Sequence, residues 1–317
     1  MKKLIGYIIA ATFLFSTMEI VLKSISGQFN PVQLTFTRFL IGGIVLLPFA
    51  LRTLKSKGLK MNIRKMMPFA FYGFIGIVVS MTLYQLAIAY TEASIVAVLF
   101  SSQPVFVLIL SYLLLKEQIS ANNVIAFLFV IIGIICIINP FNTKLSVVGI
   151  ILALLSAILF ALYGVCGKKP SNEYGGLTTT CFSFLWGASE MILAALVTHI
   201  PAVSGALVNA GFANFAAIPF FSGYSIQALP SLIYVCVGVT GIGFACYFMA
   251  IEKSSASTAS LVFVFKAALA PVLAFLILGE QIPANKLLGI LLILLGSVIN
   301  LLPVLLRKIK KVPLLEK

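Results

Sequence analysis

Apolar residues run along this chain in long blocks, broken by short polar or basic connections. Windows of about 20 apolar residues are what a helix needs to cross a bilayer. They predict ten spans: 4–24, 31–51, 67–90, 94–115, 121–139, 146–167, 177–199, 230–250, 255–278 and 284–306. The segment 201–229 is uncharged and partly apolar, but Asn209, Asn214, Gly205, Gly211 and Pro219 interrupt it. It is read as an external loop at the membrane surface. Within most spans the polar residues recur every three or four positions, the spacing of one helix face. Span 1 carries Thr12, Ser16, Glu19 and Lys23; span 3 carries Gly73, Ser80, Tyr84 and Ala87. Span 8 carries Cys236, Thr240, Gly243 and Tyr247. Spans 5 and 10 have much weaker stripes. In lipid, such faces turn to protein or water, so the pattern predicts a central polar cavity walled by spans 1–4 and 6–9.

A second pattern lies beneath the first. Shifted by 163, Tyr84–Pro140 aligns with Tyr247–Pro303 without a gap, including Glu117-Gln118-Ile119 on Glu280-Gln281-Ile282 and Gly133 on Gly296. The first two spans of each half match more weakly, as in Phe15/Phe160 and Lys23/Lys168. Each half therefore holds five spans. Five is odd, so the second half enters the membrane in the opposite sense. Inverted repeats of this kind are a recurring build for secondary transporters, with the substrate site near the midplane between the halves.

Composition supports this architecture and narrows the function. The 317 residues are 61% hydrophobic and 9% charged, far from the balance of a soluble domain. The formal charge of +14 would suggest nucleic acid in a soluble protein. Here it sorts by position. With both termini in the cytoplasm, Lys2–Lys3, Arg52–Lys65, Lys168–Lys169 and Arg307–Lys311 are inside, and only Lys144 and Lys286 are outside. That is the positive-inside pattern, so the surplus marks orientation and not a nucleic-acid partner. The Met1-Lys2-Lys3 start is read as the first retained span. The five cysteines all lie in apolar runs with no CxxC spacing and act as small packing residues. All eight acids are Glu, no metal-ligand cluster is spelled out, and nucleotide-binding and hydrolase motifs are absent. The chain is therefore read as neither an enzyme nor a cofactor carrier.

The chemistry is concentrated in a few expensive residues. Glu19, Arg38, Glu190 and Lys266 fall inside spans, where a charge costs about 2.5–3.5 kcal/mol on insertion scales. Each needs a partner or a polar cavity. Lys266 is expected to attract an anionic substrate group, with Glu19 or Glu190 as its resting partner; a structural Lys–Glu bridge is the competing reading. Gln103 occupies the matching position of the first half. Glu19 is either a proton or cation site or a neutraliser of Lys23, four residues on. Arg38 either binds a carboxylate or clamps backbone carbonyls between the repeats. Tyr84, Tyr163 and Tyr247 could stack on a substrate or pack.

The ten-span, two-half pattern with Arg38-Phe39-Leu40, Pro104-Val105-Phe106 through Leu115-Lys116-Glu117, and Leu278-Gly279-Glu280 resembles the drug/metabolite transporter superfamily, specifically EamA-type permeases. The resemblance implies two domains, 5–139 and 147–302, followed by a basic cytoplasmic tail, 303–317. It implies an all-α carrier for small metabolites, often amino acids or related compounds and frequently an exporter. It departs from the family at Ala267, which stands where the first half has Pro104; Pro271 follows one turn later. Taken together, these features predict an alternating-access transporter of amino acids or small organic acids in a bacterial cell membrane. Protons are a candidate coupling ion and a homodimer is compatible with the pattern. The alternative is a multidrug or cation exporter that uses Glu19.

Overall fold

The computed structural model describes residues 2–115, 121–138 and 146–309. Lys116, Glu117, Gln118, Pro140, Lys144 and the end of the basic tail, 310–317, lie outside the described residues. Every predicted span is helical, and the described residues contain no strand. The elements are α1 (Lys2–Ile25), α2 (Pro31–Ser56), α3 (Ile63–Gly73), α4 (Thr82–Tyr90), α5 (Ala93–Phe100), α6 (Gln103–Leu115) and α7 (Ala121–Ile138) in the first half. The second half has α8 (Val147–Cys166), α9 (Lys168–Tyr174), α10 (Gly176–Val197), α11 (Pro201–Asn209), α12 (Leu229–Ile233), α13 (Phe244–Lys253), α14 (Ala256–Ala259), α15 (Leu261–Leu278) and α16 (Ala284–Ile309). Among the described residues, eight helical stretches are long and apolar enough to cross a membrane; α7 and α16 contribute shorter apolar stretches, Val124–Gly133 and Ala284–Gly296. Local chemistry explains the ends. Asn30 caps α2 by accepting from the Val32 and Gln33 amides, with Pro31 in the first turn. Gly279, at φ 67°, closes α15 in the left-handed conformation that glycine tolerates best.

The segment after α10 does not cross the bundle. It forms α11, a short turn at Ala213–Phe215 and irregular backbone, strapped across the start of α2. Asn30 donates to Asn214 O and Gln33 to Ser222 O, both at 2.8 Å, and the Thr37 and Tyr224 hydroxyls share a 2.8 Å bond. These bonds satisfy backbone groups that a membrane-spanning coil would leave unpaired.

The repeat is visible in the backbone. Spans 3 and 8 each contain a π-helical stretch, Phe74–Met81 and Tyr234–Gly243, which overlap when shifted by 163. Spans 4 and 9 each break early, but at positions that the shift of 163 does not match, Ser101–Ser102 and Ser260. The break in span 9 thus lies before Lys266, while Pro271 sits inside α15. The packing obeys a two-fold exchange. A methyl group on Gly133 would meet Gly289 O at 2.8 Å, and one on Gly296 would meet Ala126 O at 2.7 Å. Moving forward along α7 moves backward along α16, so the repeat-related helices run antiparallel. The same exchange holds nearer the centre, where Gly187 approaches Gly73 O and Gly42 approaches Cys236 O. Small residues permit this closeness, as is usual for helices packed in lipid.

Each half also closes with the same lysine. Lys23 Nζ donates to Ile88 O and Thr91 O at 2.7 and 2.8 Å. Lys168 Nζ donates to Ile251 O and Ser254 O at 2.7 and 2.8 Å, carbonyls 163 positions further on. Both lysines cap the orphan carbonyls at a helix C-terminus, where a cation is favoured. Lys23 therefore does not pair with Glu19, as the i, i+4 spacing allowed. At the Lys23 end the Glu280 carboxylate accepts from the Ala93 and Ser94 amides at 2.9 and 3.0 Å, joining the second half to the N-terminus of α5.

Candidate functional site

The stripe on α1 carries Glu19 to the centre of the bundle, and α15 carries Lys266 to the same place. Glu19 is 1% exposed and Lys266 is fully buried; the two form an ion pair. Lys266 is thus partnered by Glu19. Glu190, the other expected partner, is half-buried on α10 with one carboxylate oxygen lacking a hydrogen bond. The Lys266 ammonium also lies 5.1 Å from the Phe100 ring centroid, 5.7 Å from Tyr84 and 6.0 Å from Phe263. These are cation–π distances, and they strengthen when water is excluded. The Tyr84 hydroxyl sits beside Glu19 without a well-formed hydrogen bond.

Arg38, on α2, is fully buried. Its guanidinium stacks 4.5 Å over Phe39, and Nη1 reaches the Met18 sulfur at 3.7 Å. Among the described residues, Nε and Nη2 have no hydrogen-bond partner. Arg38 therefore clamps no backbone carbonyl. It lies within electrostatic reach of Glu19, Tyr84 and Lys266.

The aromatic wall follows the repeat closely. Tyr84 meets Phe100 at 4.8 Å, and their repeat mates Tyr247 and Phe263 meet at 5.4 Å. Phe100 and Phe263 themselves touch across the pseudo-axis at 5.7 Å. Phe15, Phe160 and Phe244 fill the remaining space. Of the residues expected to line a cavity, Glu19, Tyr84 and Lys266 are packed together in this conformation while Glu190 is not among them, and the polar centre is closed to solvent. Tyr163 stands at the edge of this wall, its hydroxyl 2.5 Å from Ser183 Oγ. The Tyr247 hydroxyl points toward Gly164 and has no hydrogen bond. Gln103 is fully buried at the start of α6 with both amide atoms unpartnered.

The charges do not follow the repeat. With the shift of 145 that relates Lys23 to Lys168, Glu19 corresponds to Gly164, Arg38 to Ser183 and Met18 to Tyr163. The Arg38–Met18 contact is thus mirrored by Ser183–Tyr163. Lys266 corresponds to Gln103. A symmetric aromatic scaffold therefore carries one charged pole and one neutral pole. The sequence reading found the charged residues and the tyrosines. Beyond the matched pair Phe15/Phe160, the cage phenylalanines and Met18 do not stand out in the sequence, because Phe and Met are common in apolar helices. The one available signal was the repeat itself, since Phe100/Phe263 is also a matched pair.

Comparison with known proteins agrees with this architecture. The EamA-like transporter family model matches residues 2–139 and again 147–302. The chain is 35% identical over 308 residues to a Clostridium kluyveri protein named an uncharacterized transporter, covering 95% of this chain and 93% of that one. A second uncharacterized transporter, from Archaeoglobus fulgidus, is 24% identical over 298 residues, covering 93% and 97%. A solved crystal structure superposes with a TM-score of 0.68 at 17% identity, covering 95% of this chain and 98% of its own; that likeness concerns the fold. The chain is a multi-pass membrane protein and belongs to the EamA-like transporter family, within the drug/metabolite transporter superfamily.

Proposed function

We propose that this protein is a secondary, alternating-access transporter that exports amino acids or small organic acids. The observation that carries the reading is the Glu19–Lys266 pair buried in an aromatic cage. An ion pair in such a place adds little net stability and is costly to break one-sidedly. Its chemical use is shared binding. A substrate carboxylate enters the buried centre beside Lys266 and Arg38 while Glu19 keeps its charge, so the two cations are divided between Glu19 and the substrate. Protons are the candidate coupling ion, tested by the imposed gradient below. Tyr84 and Tyr247 flank the substrate as the two halves rock about the pseudo-axis, and the small-residue contacts at Gly42, Gly73 and Gly187 supply the sliding surfaces.

Orientation follows from the charge distribution. The Lys168 end, with Arg52, Lys55, Arg64 and Lys65, faces the cytoplasm, as do both termini, and the Lys23 end faces outward. The setting is a bacterial cell membrane. The rival reading, a cation or multidrug exporter, needs a free carboxylate at Glu19, whereas that carboxylate is engaged by Lys266.

The test is a panel of radiolabelled anionic, zwitterionic and cationic compounds on proteoliposomes, with and without an imposed pH gradient. Carboxylate transport that responds to the gradient and disappears in Lys266→Met supports the proposal. Transport confined to organic cations, or carboxylate transport that persists in Lys266→Met, overturns it.

A further inference from the structure

We propose that Arg38 is the carboxylate clamp of this site and that the substrate is a net monoanion, a short hydroxy- or oxo-monocarboxylate, and not a zwitterionic amino acid. The inference rests on the transporter reading above and narrows its substrate class. Its first support is geometric. Of the three guanidinium nitrogens of Arg38, Nη1 is turned to a methionine sulfur, a weak acceptor. Nε and Nη2 are buried and lack partners among the described residues. These two nitrogens are adjacent, and together they form the edge that takes a carboxylate through two parallel N–H···O bonds. A lysine could not reproduce that fork.

The second support is charge. Arg38 and Lys266 contribute two positive charges to the buried centre and Glu19 one negative. A water-excluded cage tolerates an unbalanced charge poorly. A monoanion brings the sum to zero. A zwitterion leaves it at one positive charge, and its ammonium would compete with Lys266 for Glu19. The third support is the asymmetry between the poles. The repeat mates of Glu19, Arg38 and Lys266 are Gly164, Ser183 and Gln103, none of them charged. The body of the substrate therefore meets an uncharged polar surface. Gln103 and the Tyr247 hydroxyl, both buried without hydrogen bonds, suit a hydroxyl or carbonyl oxygen.

The experiment uses the full chain in proteoliposomes and pairs of compounds that differ only in exchanging a hydroxyl for an ammonium: lactate against alanine, and glycerate against serine. Transport of the hydroxy acid is expected to exceed that of the amino acid by at least about tenfold, because a like charge beside two buried cations is strongly disfavoured. Arg38→Lys, which keeps the charge, is expected to raise KM at least about tenfold with a smaller change in maximal rate. The purified wild-type protein should also be thermally stabilised by lactate and not by alanine, a readout that needs no variant to fold. Amino acids carried as well as or better than their hydroxy partners, or an unchanged KM in Arg38→Lys, would overturn the inference while leaving the transporter reading intact. If no anionic, zwitterionic or cationic compound in the wider panel is moved, the transporter reading itself fails.

Discussion

Removing one member of the Glu19–Lys266 pair should cost far more than removing both. Lys266→Met leaves the Glu19 carboxylate beside the Tyr84 hydroxyl, with the Arg38 guanidinium, to which it makes no ion pair or hydrogen bond among the described residues, as its one remaining counter-charge. Glu19→Gln leaves the Lys266 and Arg38 cations within electrostatic reach of each other and without the carboxylate that pairs with Lys266. With side chains 1% and 0% exposed, neither leftover charge can be hydrated in place. Breaking a buried pair from one side costs about 3–5 kcal/mol. At roughly 2–4 °C of midpoint per kcal/mol, each single variant should unfold roughly 6–20 °C below the wild type. The double variant Glu19→Gln/Lys266→Met has no unpaired member of the pair. Replacing a buried ion pair by neutral groups is often close to energetically neutral, so its midpoint should return most of the way to the wild-type value. The assay is thermal unfolding of detergent-purified protein, followed by the fluorescence of Trp186, the single tryptophan. Single variants that unfold within about 2 °C of the wild type would refute the reasoning. So would a double variant whose loss equals the sum of the singles, because it would show that the two groups are not energetically coupled. The double variant also separates stability from function: it should fold well and transport nothing.

Other consequences concern the scaffold. Gly133→Ala and Gly296→Ala each drive a methyl into a facing backbone carbonyl, at 2.8 and 2.7 Å; each should cost about 1–3 kcal/mol, with matching midpoint losses in the unfolding assay. Lys23→Met and Lys168→Met remove equivalent helix caps and should lower the midpoint by similar amounts; a loss in one alone would contradict their equivalence. Glu280→Ala strips the carboxylate from two amides at the start of α5. It should cost about 1–2 kcal/mol, in the range of a lost N-terminal cap, and should speed amide hydrogen exchange at Ala93 and Ser94.

Much of this architecture was legible in the chain before folding. Hydrocarbon forces apolar windows into helices that satisfy their own backbone, so the helices could be read from the apolar pattern; among the described residues eight of them are of membrane-crossing length and two are shorter. The repeat of Glu-Gln-Ile and the matched glycines announced two related halves, and the price of a charge in lipid singled out Glu19, Arg38 and Lys266. Partner choice was not legible. Lys23 stands one turn from Glu19, yet it reaches Ile88 and Thr91, while Glu19 is claimed by a lysine almost 250 positions away. That outcome depends on how α1 packs against α15, which helical spacing within one span cannot report. The π-helical stretches in spans 3 and 8 were equally hidden, because a shift from one turn type to another leaves no mark in an apolar run. They change the angular position of every residue that follows, and so they help set where Tyr84 and Tyr247 point. Sequence determined which residues had to be accommodated away from lipid, since transfer costs are properties of single side chains. Only the tertiary structure decided which charges meet and which guanidinium edge stays open, since those are properties of distance.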